Sequence, residues 1–286
     1  MKGVGVAYGA TTVVNAMPSG LGASLGVDLW TVAEVELNDH VGISVEINGD
    51  SGESKELAKE SFKVVMERFG LRKGGSIKTW SNIPIARGMK SSSAASNAIV
   101  LATLDALGED LEDLEIVKLG VEASIRARVT LTGAFDDASA SYFGGLQITD
   151  NCRMRILKSV EVEPLTVLFL VPEERRYSGS VGQETVRSVR RLAEVAFQEA
   201  MGGRVWQAMI LNGLIMSHTF GYDPSPIITA MERGAISAGL CGKGPAVCAV
   251  CREGDEDPIV EGWKRFGARI IKAKTSCRKA RKGEDL

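Results

Sequence analysis

Histidine is almost missing from this chain: His40 and His218 are the only two among 286 residues. A histidine-based hydrolytic triad or a His-rich metal centre therefore has next to nothing to draw on. Cysteine is scarce as well. Cys152, Cys241, Cys248, Cys251 and Cys277 form no paired framework. Cys248 and Cys251 lie three apart in a strand-like apolar run, where alternation turns their thiols to opposite sides. With no second pair to complete a zinc site, reduced structural cysteines are expected. No apolar stretch is long enough to span a bilayer, and no charged segment with a following apolar core opens the sequence. A cytoplasmic protein with no membrane partner is the expectation. A formal net charge of −2 leaves no basic excess for nucleic acid. The basic run Lys272–Lys282 reads as a solvated tail. Two nucleotide signatures are missing too: neither Gly-x4-Gly-Lys-Ser/Thr nor Gly-x-Gly-x-x-Gly after a strand occurs.

What is present is a globular composition, 44% apolar and 24% charged, over a length that suits one large or two ordinary domains. Val4–Thr12 reads as a strand and Asn15–Gly26 as a glycine-rich segment. Val27–Leu37 and Ile43–Ile47 alternate with period two and predict an antiparallel meander. Glu53–Phe69 is a helix stopped by Gly70, and Ser76–Ile85 a strand. Helices follow over Ser92–Leu107 and Leu111–Arg128, then a strand over Leu146–Thr149. The more charged stretch Arg153–Glu163 marks the expected junction between a first domain, residues 1–155, and a second, residues 156–286. There Leu165–Val171 is a buried strand, and Val181–Met201, Arg204–Phe220 and Pro224–Arg233 are helices. Gly234–Cys251 reads as strand, glycine loop and strand, and a helix (Asp257–Phe266) and a strand (Arg269–Ala273) close the domain. The fold class is α+β.

Two stretches carry chemistry. In the first, Pro84, Ile85, Ala86, Arg87, Gly88, Met89, Lys90, Ser91, Ser92, Ser93 and Ala94 join the end of a strand to an Ala-rich helix. Free backbone N–H groups at such a helix start and the helix dipole make an anion site, and Lys90 adds positive charge. An ordinary capped helix is the plainer reading, but three serines exceed what a cap needs. In the second, the adjacent carboxylates Asp136 and Asp137 lie among small and apolar residues ahead of Gly144-Gly145. Neighbouring acids repel unless solvent, a cation or a ligand offsets the charge. One of them could instead cap a short helix over Ala138–Phe143.

The Pro84–Ala94 stretch resembles the phosphate loop of the GHMP kinases, whose pattern is Pro-x3-Gly-Leu-x-Ser-Ser-x-Ala. Further segments are similar to that superfamily in the right order. They are the glycine-rich segment ending at Asp28, the run Ala238-Gly-Leu-Cys-Gly-Lys-Gly-Pro245, and an Asp seven residues before a Gly-Gly, which here is Asp137. In detail the chain most resembles archaeal-type shikimate kinases, through Ser91–Ala98, Leu101–Gly108 and Thr132–Tyr142. That likeness spans nearly the whole chain. It implies an N-terminal α/β domain, a ferredoxin-like C-terminal domain and an active site in the cleft between them. It also implies transfer of the γ-phosphoryl group of ATP to the 3-hydroxyl of shikimate, with magnesium, in chorismate and aromatic amino acid biosynthesis. On this likeness residues 84–94 hold the ATP phosphates, Ser92 ligates magnesium and Asp137 is the catalytic base. Asp28, Asp136, Gly242 and Gly244 contact substrate.

The sequence also departs from the family pattern. Lys90 replaces a small residue, Cys241 stands where Ser is usual, and Lys243 where a small or hydroxyl residue is usual. The position of the family's magnesium-binding Glu falls on Ala127 or Arg126, with Glu122 about one helical turn away. Two other readings stay open. One is a GHMP kinase acting on homoserine or a mevalonate-type alcohol. The other is a non-catalytic nucleotide-binding protein on the same scaffold, which the retention of Asp137 argues against.

Overall fold

The computed structural model describes residues 1–39, 42–48, 55–84, 88–130, 133–173 and 182–283. Its spine is a pair of long strands, β1 (Lys2–Val14) and β2 (Leu21–Asn38), antiparallel along most of their length. The second half of β2 alternates as its sequence predicts: Leu29, Thr31, Ala33, Val35 and Leu37 are buried, while the residues between them are more exposed. The glycine-rich segment is not all loop, because its last six residues, Leu21 to Gly26, already belong to β2. That 18-residue strand pairs with β5 (Leu146–Asp150) through its first half and with β4 (Gly74–Ser81) through its second.

β3 (Ile43–Asn48) corrects the expected meander: it runs parallel to β4, at the sheet edge. Helix α1 (Glu56–Arg68) lies between the two in sequence, and a crossover helix is what lets neighbouring strands run parallel. Helices α2 (Ser91–Leu107), α3 (Asp113–Arg126) and α4 (Phe135–Phe143) join α1 over Val35 and Ile77 of the sheet. The core there includes Phe62, Leu101, Leu104, Val117, Val121 and Phe135. Most of α2 is buried, which fixes where its N-terminus points.

The second sheet has the order β10-β7-β9-β8, all antiparallel, from β7 (Thr166–Val171), β8 (Ser237–Leu240), β9 (Val247–Cys251) and β10 (Arg269–Lys274). Its helices are α5 (Gln183–Ser188), α6 (Arg190–Met201), α7 (Val205–Phe220), α8 (Ser225–Glu232) and α9 (Asp257–Trp263). Numbered by their sequence within this half, the strands lie in the order 4-1-3-2, which is the ferredoxin-like arrangement. Apolar side chains run without a break from Leu25, Val27 and Ile148 of the first sheet to Val167, Phe169 and Cys248 of the second. Cys248 belongs to this cluster and Cys251 to the one on the other face of the second sheet, so the two thiols do point apart. All five cysteines are free.

Two expectations change here. The junction at 155/156 falls at the first residue of β6 (Arg155–Val160), which pairs with β5 and stays with the first sheet. The charged composition of that stretch is that of an exposed strand, not of a linker. The basic run after Lys272 is no solvated tail either. β11 (Arg281–Lys282) pairs with β1, Ala280 is buried, and Lys279 and Lys282 form ion pairs with Asp113 and Asp110. No helix among the described residues is long and apolar enough to cross a membrane.

Candidate active site

The site forms where the starts of α2 and α4 meet β2 and the loop between β8 and β9. Helix α2 begins after Lys90, whose backbone is left-handed at φ 62°. No side chain caps this helix start, so its first amides are not claimed by a hydroxyl or carboxylate of the described residues. The hydroxyls of Ser91, Ser92 and Ser93 likewise have no partner among the described residues. A helix start of this kind leaves backbone donors open to an anion. Met89 and Ala94 are core residues, and Pro84 is half-buried; Ile85, Ala86 and Arg87 lie outside the described residues.

Asp136 and Asp137 sit in the first turn of α4 and are both buried, at 4% and 8% exposure. Neither is a cap, because the capping position is Ala134, held at φ 47°. Asp137 is gripped on both oxygens. The Ser24 hydroxyl donates to Oδ1 at 2.7 Å and the Lys90 ammonium to Oδ2 at 2.8 Å. Lys90 is thus not in solvent. It forms an ion pair in which both side chains are about nine-tenths buried. Burial pulls its pKa down, but the charges of Asp137 and Asp136 outweigh that and the net shift is upward.

Asp136 meets the same Ser24 hydroxyl only at 3.4 Å, on Oδ2, and is held mainly by Asn151. Asn151 Nδ2 donates to Oδ1 at 2.7 Å, and the Asp136 amide donates back to Asn151 Oδ1 at 3.1 Å. Thr149 fixes that asparagine with a hydrogen bond of 2.7 Å. Burial first, and the charge of Asp137 second, push the Asp136 carboxyl up to about 7. A carboxyl that takes up a proton can donate a hydrogen bond as well as accept one.

The loop after β8 closes on these groups from the second half of the chain. A Cβ on Gly88 would collide with the carbonyl oxygen of Cys241, and one on Gly242 would lie 3.1 Å from Lys90 Nζ. Both positions have positive φ, so glycine is needed twice over. Thr12 Oγ1 accepts from the Gly242 amide at 2.9 Å, and Asn15 Nδ2 donates to its carbonyl at 2.8 Å. Gly244 packs against the Tyr222 ring rather than toward the carboxylates. Asp28 is not brought in: its Oδ1 accepts the Lys274 amide at 2.7 Å, four residues along β2 from Ser24, or roughly 13 Å of strand. Sequence reasoning missed Ser24, Asn151, Asn15 and Thr12. The one signal that could have found Ser24 is its place between Gly22 and Gly26 in the glycine-rich segment.

The sequence from residue 56 to 145 matches the family described as GHMP kinases N terminal domain. The mevalonate kinase of Methanococcus jannaschii superposes with a TM-score of 0.75 at 15% identity, covering 96% of this chain and 98% of that one. At that identity the likeness concerns the fold, and the fold is that of a GHMP kinase. The shikimate kinase of Methanothrix thermoacetophila is 43% identical over 99% of this chain and 97% of its own length. That of Thermococcus kodakarensis is 46% identical over 91% and 96%. The chain belongs to this archaeal shikimate kinase family.

Proposed function

We propose that the protein is a shikimate kinase, transferring the γ-phosphoryl group of ATP to the 3-hydroxyl of shikimate. The observation that carries the reading is the buried Asp137 carboxylate, fixed by Ser24 and Lys90 beside the uncapped start of α2. Phosphoryl transfer asks an enzyme chiefly for positioning and charge neutralisation. The α2 amides and the hydroxyls of Ser91 and Ser92 receive the phosphate oxygens. Asp137 orients the acceptor hydroxyl and takes its proton, using lone pairs that Ser24 and Lys90 leave free. The Lys90 ammonium has three donors and spends one on Asp137. The others are left for the transferring phosphoryl group.

The donor set fits magnesium only in the sparse manner usual for ATP sites, a hydroxyl or carboxylate plus the phosphates themselves. Ser92 supplies such a hydroxyl. Glu122 does not, because it is half-exposed and paired with Arg126 at 2.6 Å, and no cluster of three acidic, Cys or His residues occurs among the described residues. Magnesium held by Ser92 and ATP would neutralise charge on the β- and γ-phosphates. Asp136, anchored by Asn151, faces the acceptor's other hydroxyls, and a cytoplasmic location suits a protein acting on ATP. The test is ATP consumption with shikimate, homoserine, mevalonate or galactose as acceptor. Turnover on shikimate is expected; turnover on homoserine or mevalonate with none on shikimate would refute the acceptor while keeping the class.

A further inference from the structure

One cation at the site has no task so far. Lys243 lies in the loop that closes over Gly88 and Lys90, directly after Gly242, and is partly buried. It makes no hydrogen bond or ion pair with any described residue. Burial lowers its pKa, Lys90 lowers it further, and Asp137 opposes both, so it stands within electrostatic reach of the reacting pair. Holding an ammonium partly out of water with no counter-charge is unfavourable, and a ligand that carries an anionic oxygen would relieve it.

The shikimate kinase reading, on which this inference rests, supplies two anions, the ATP phosphates and the acceptor's carboxylate. The phosphates already have the α2 amides, the serines and Lys90. The carboxylate must enter beside the Asp137 carboxylate, which repels it, and Lys90 is already shared between Asp137 and the phosphoryl group. Among the described residues of the site, Lys243 is the remaining positive charge. We propose that Lys243 is a specificity residue that binds the carboxylate of the hydroxy-acid acceptor, placing that acceptor's hydroxyl on Asp137. An unpaired lysine here would select acceptors by charge, where a small or hydroxyl residue in the loop could not.

The test is a cycle of two acceptors, shikimate and its methyl ester, against the wild type, Lys243→Met and Lys243→Arg. Methionine preserves volume without charge, and a thermal shift by ATP shows that each variant is folded and binds nucleotide. A charge-assisted hydrogen bond contributes about 10- to 100-fold, so the wild type should favour shikimate over the ester by that factor in kcat/KM. Lys243→Met should lose that preference through a higher KM for shikimate, with the KM for ATP unchanged, and Lys243→Arg should keep most of it. If Lys243→Met lowers kcat equally with both acceptors and keeps the preference, the lysine serves the phosphoryl group and the proposal is wrong. Kinetics like the wild type's in Lys243→Met overturn it too. A wild-type protein inert towards shikimate removes the functional reading, and this inference with it.

Discussion

Replacing Lys90 by methionine tests the centre of the site without touching the base itself. The substitution keeps the aliphatic stem and deletes the charge 2.8 Å from Asp137 Oδ2, where both partners are about nine-tenths buried. Removing one member of a buried ion pair costs about 3–5 kcal/mol, because the other charge is left without compensation. Here Asp136 lies alongside and is pushed up to about 7, so it can take up a proton and relieve part of the repulsion. We therefore expect the lower end, about 3 kcal/mol, or ~6–10 °C in melting temperature for a chain of this size. Pairing Lys90→Met with Asp137→Asn removes both charges and should recover about 2 kcal/mol or more relative to the sum of the single changes. Thermal melts of the four proteins in one buffer give the cycle. If Lys90→Met costs less than about 1 kcal/mol and the two changes simply add, Lys90 is behaving as a surface lysine and the buried pair is not part of the native state.

The raised pKa of Asp136 predicts a pH effect of definite sign. The folded protein holds this proton more tightly than the unfolded chain, so the stability it contributes is present at low pH and lost as pH rises from about 4 to about 7. Asp136→Asn should flatten that part of the stability profile, measured by urea melts across the range; an unchanged slope would contradict the assignment. Gly88→Ala combines a φ of +83° with a clash against the Cys241 carbonyl, and should separate the two loops. We expect about 2 kcal/mol of destabilisation and a fall in kcat; a variant with normal stability and turnover would show that the loops do not touch in solution. Ser92→Ala should raise the magnesium concentration needed for turnover while barely moving the melting temperature, since this helix start has no side-chain cap to lose. Reduced stability with full turnover per folded molecule would make the hydroxyl structural.

The elements legible in the sequence were those whose pattern is local. Alternation in β2 and the apolar faces of α1 and α3 follow from burial on one side, which the chain records residue by residue. Strand direction is not local. Nothing in Ile43–Asn48 says that it runs parallel to Gly74–Ser81, because that is decided by the helix between them and the sheet edge left open. The basic run near the C-terminus looked like a tail because its partners Asp110 and Asp113 are about 170 residues away. The carboxylate pair was readable because two acids among small residues are anomalous wherever they fall. Ser24 was not, since its place between Gly22 and Gly26 is its one mark in the sequence and it meets Asp137 across 113 residues. Lys90 was visible only as a departure from a pattern. That it turns to Asp137, rather than outward, depends on how α2 and α4 pack.

The measurement that bears most directly on the account is single-turnover phosphoryl transfer from ATP to shikimate by Asp137→Asn and Asp136→Asn, with ATP affinity measured on the same samples. Asp137→Asn preserves size and much of the hydrogen bonding to Ser24 but removes the base, and a positioned acid–base group contributes on the order of a hundredfold or more. Asp137→Asn should lose at least about that much in the transfer rate, with ATP affinity within about threefold of the wild type, and Asp136→Asn should lose less. Near-normal transfer by the Asp137 variant, with the large loss in the Asp136 variant instead, would contradict the assignment of Asp137 as the base.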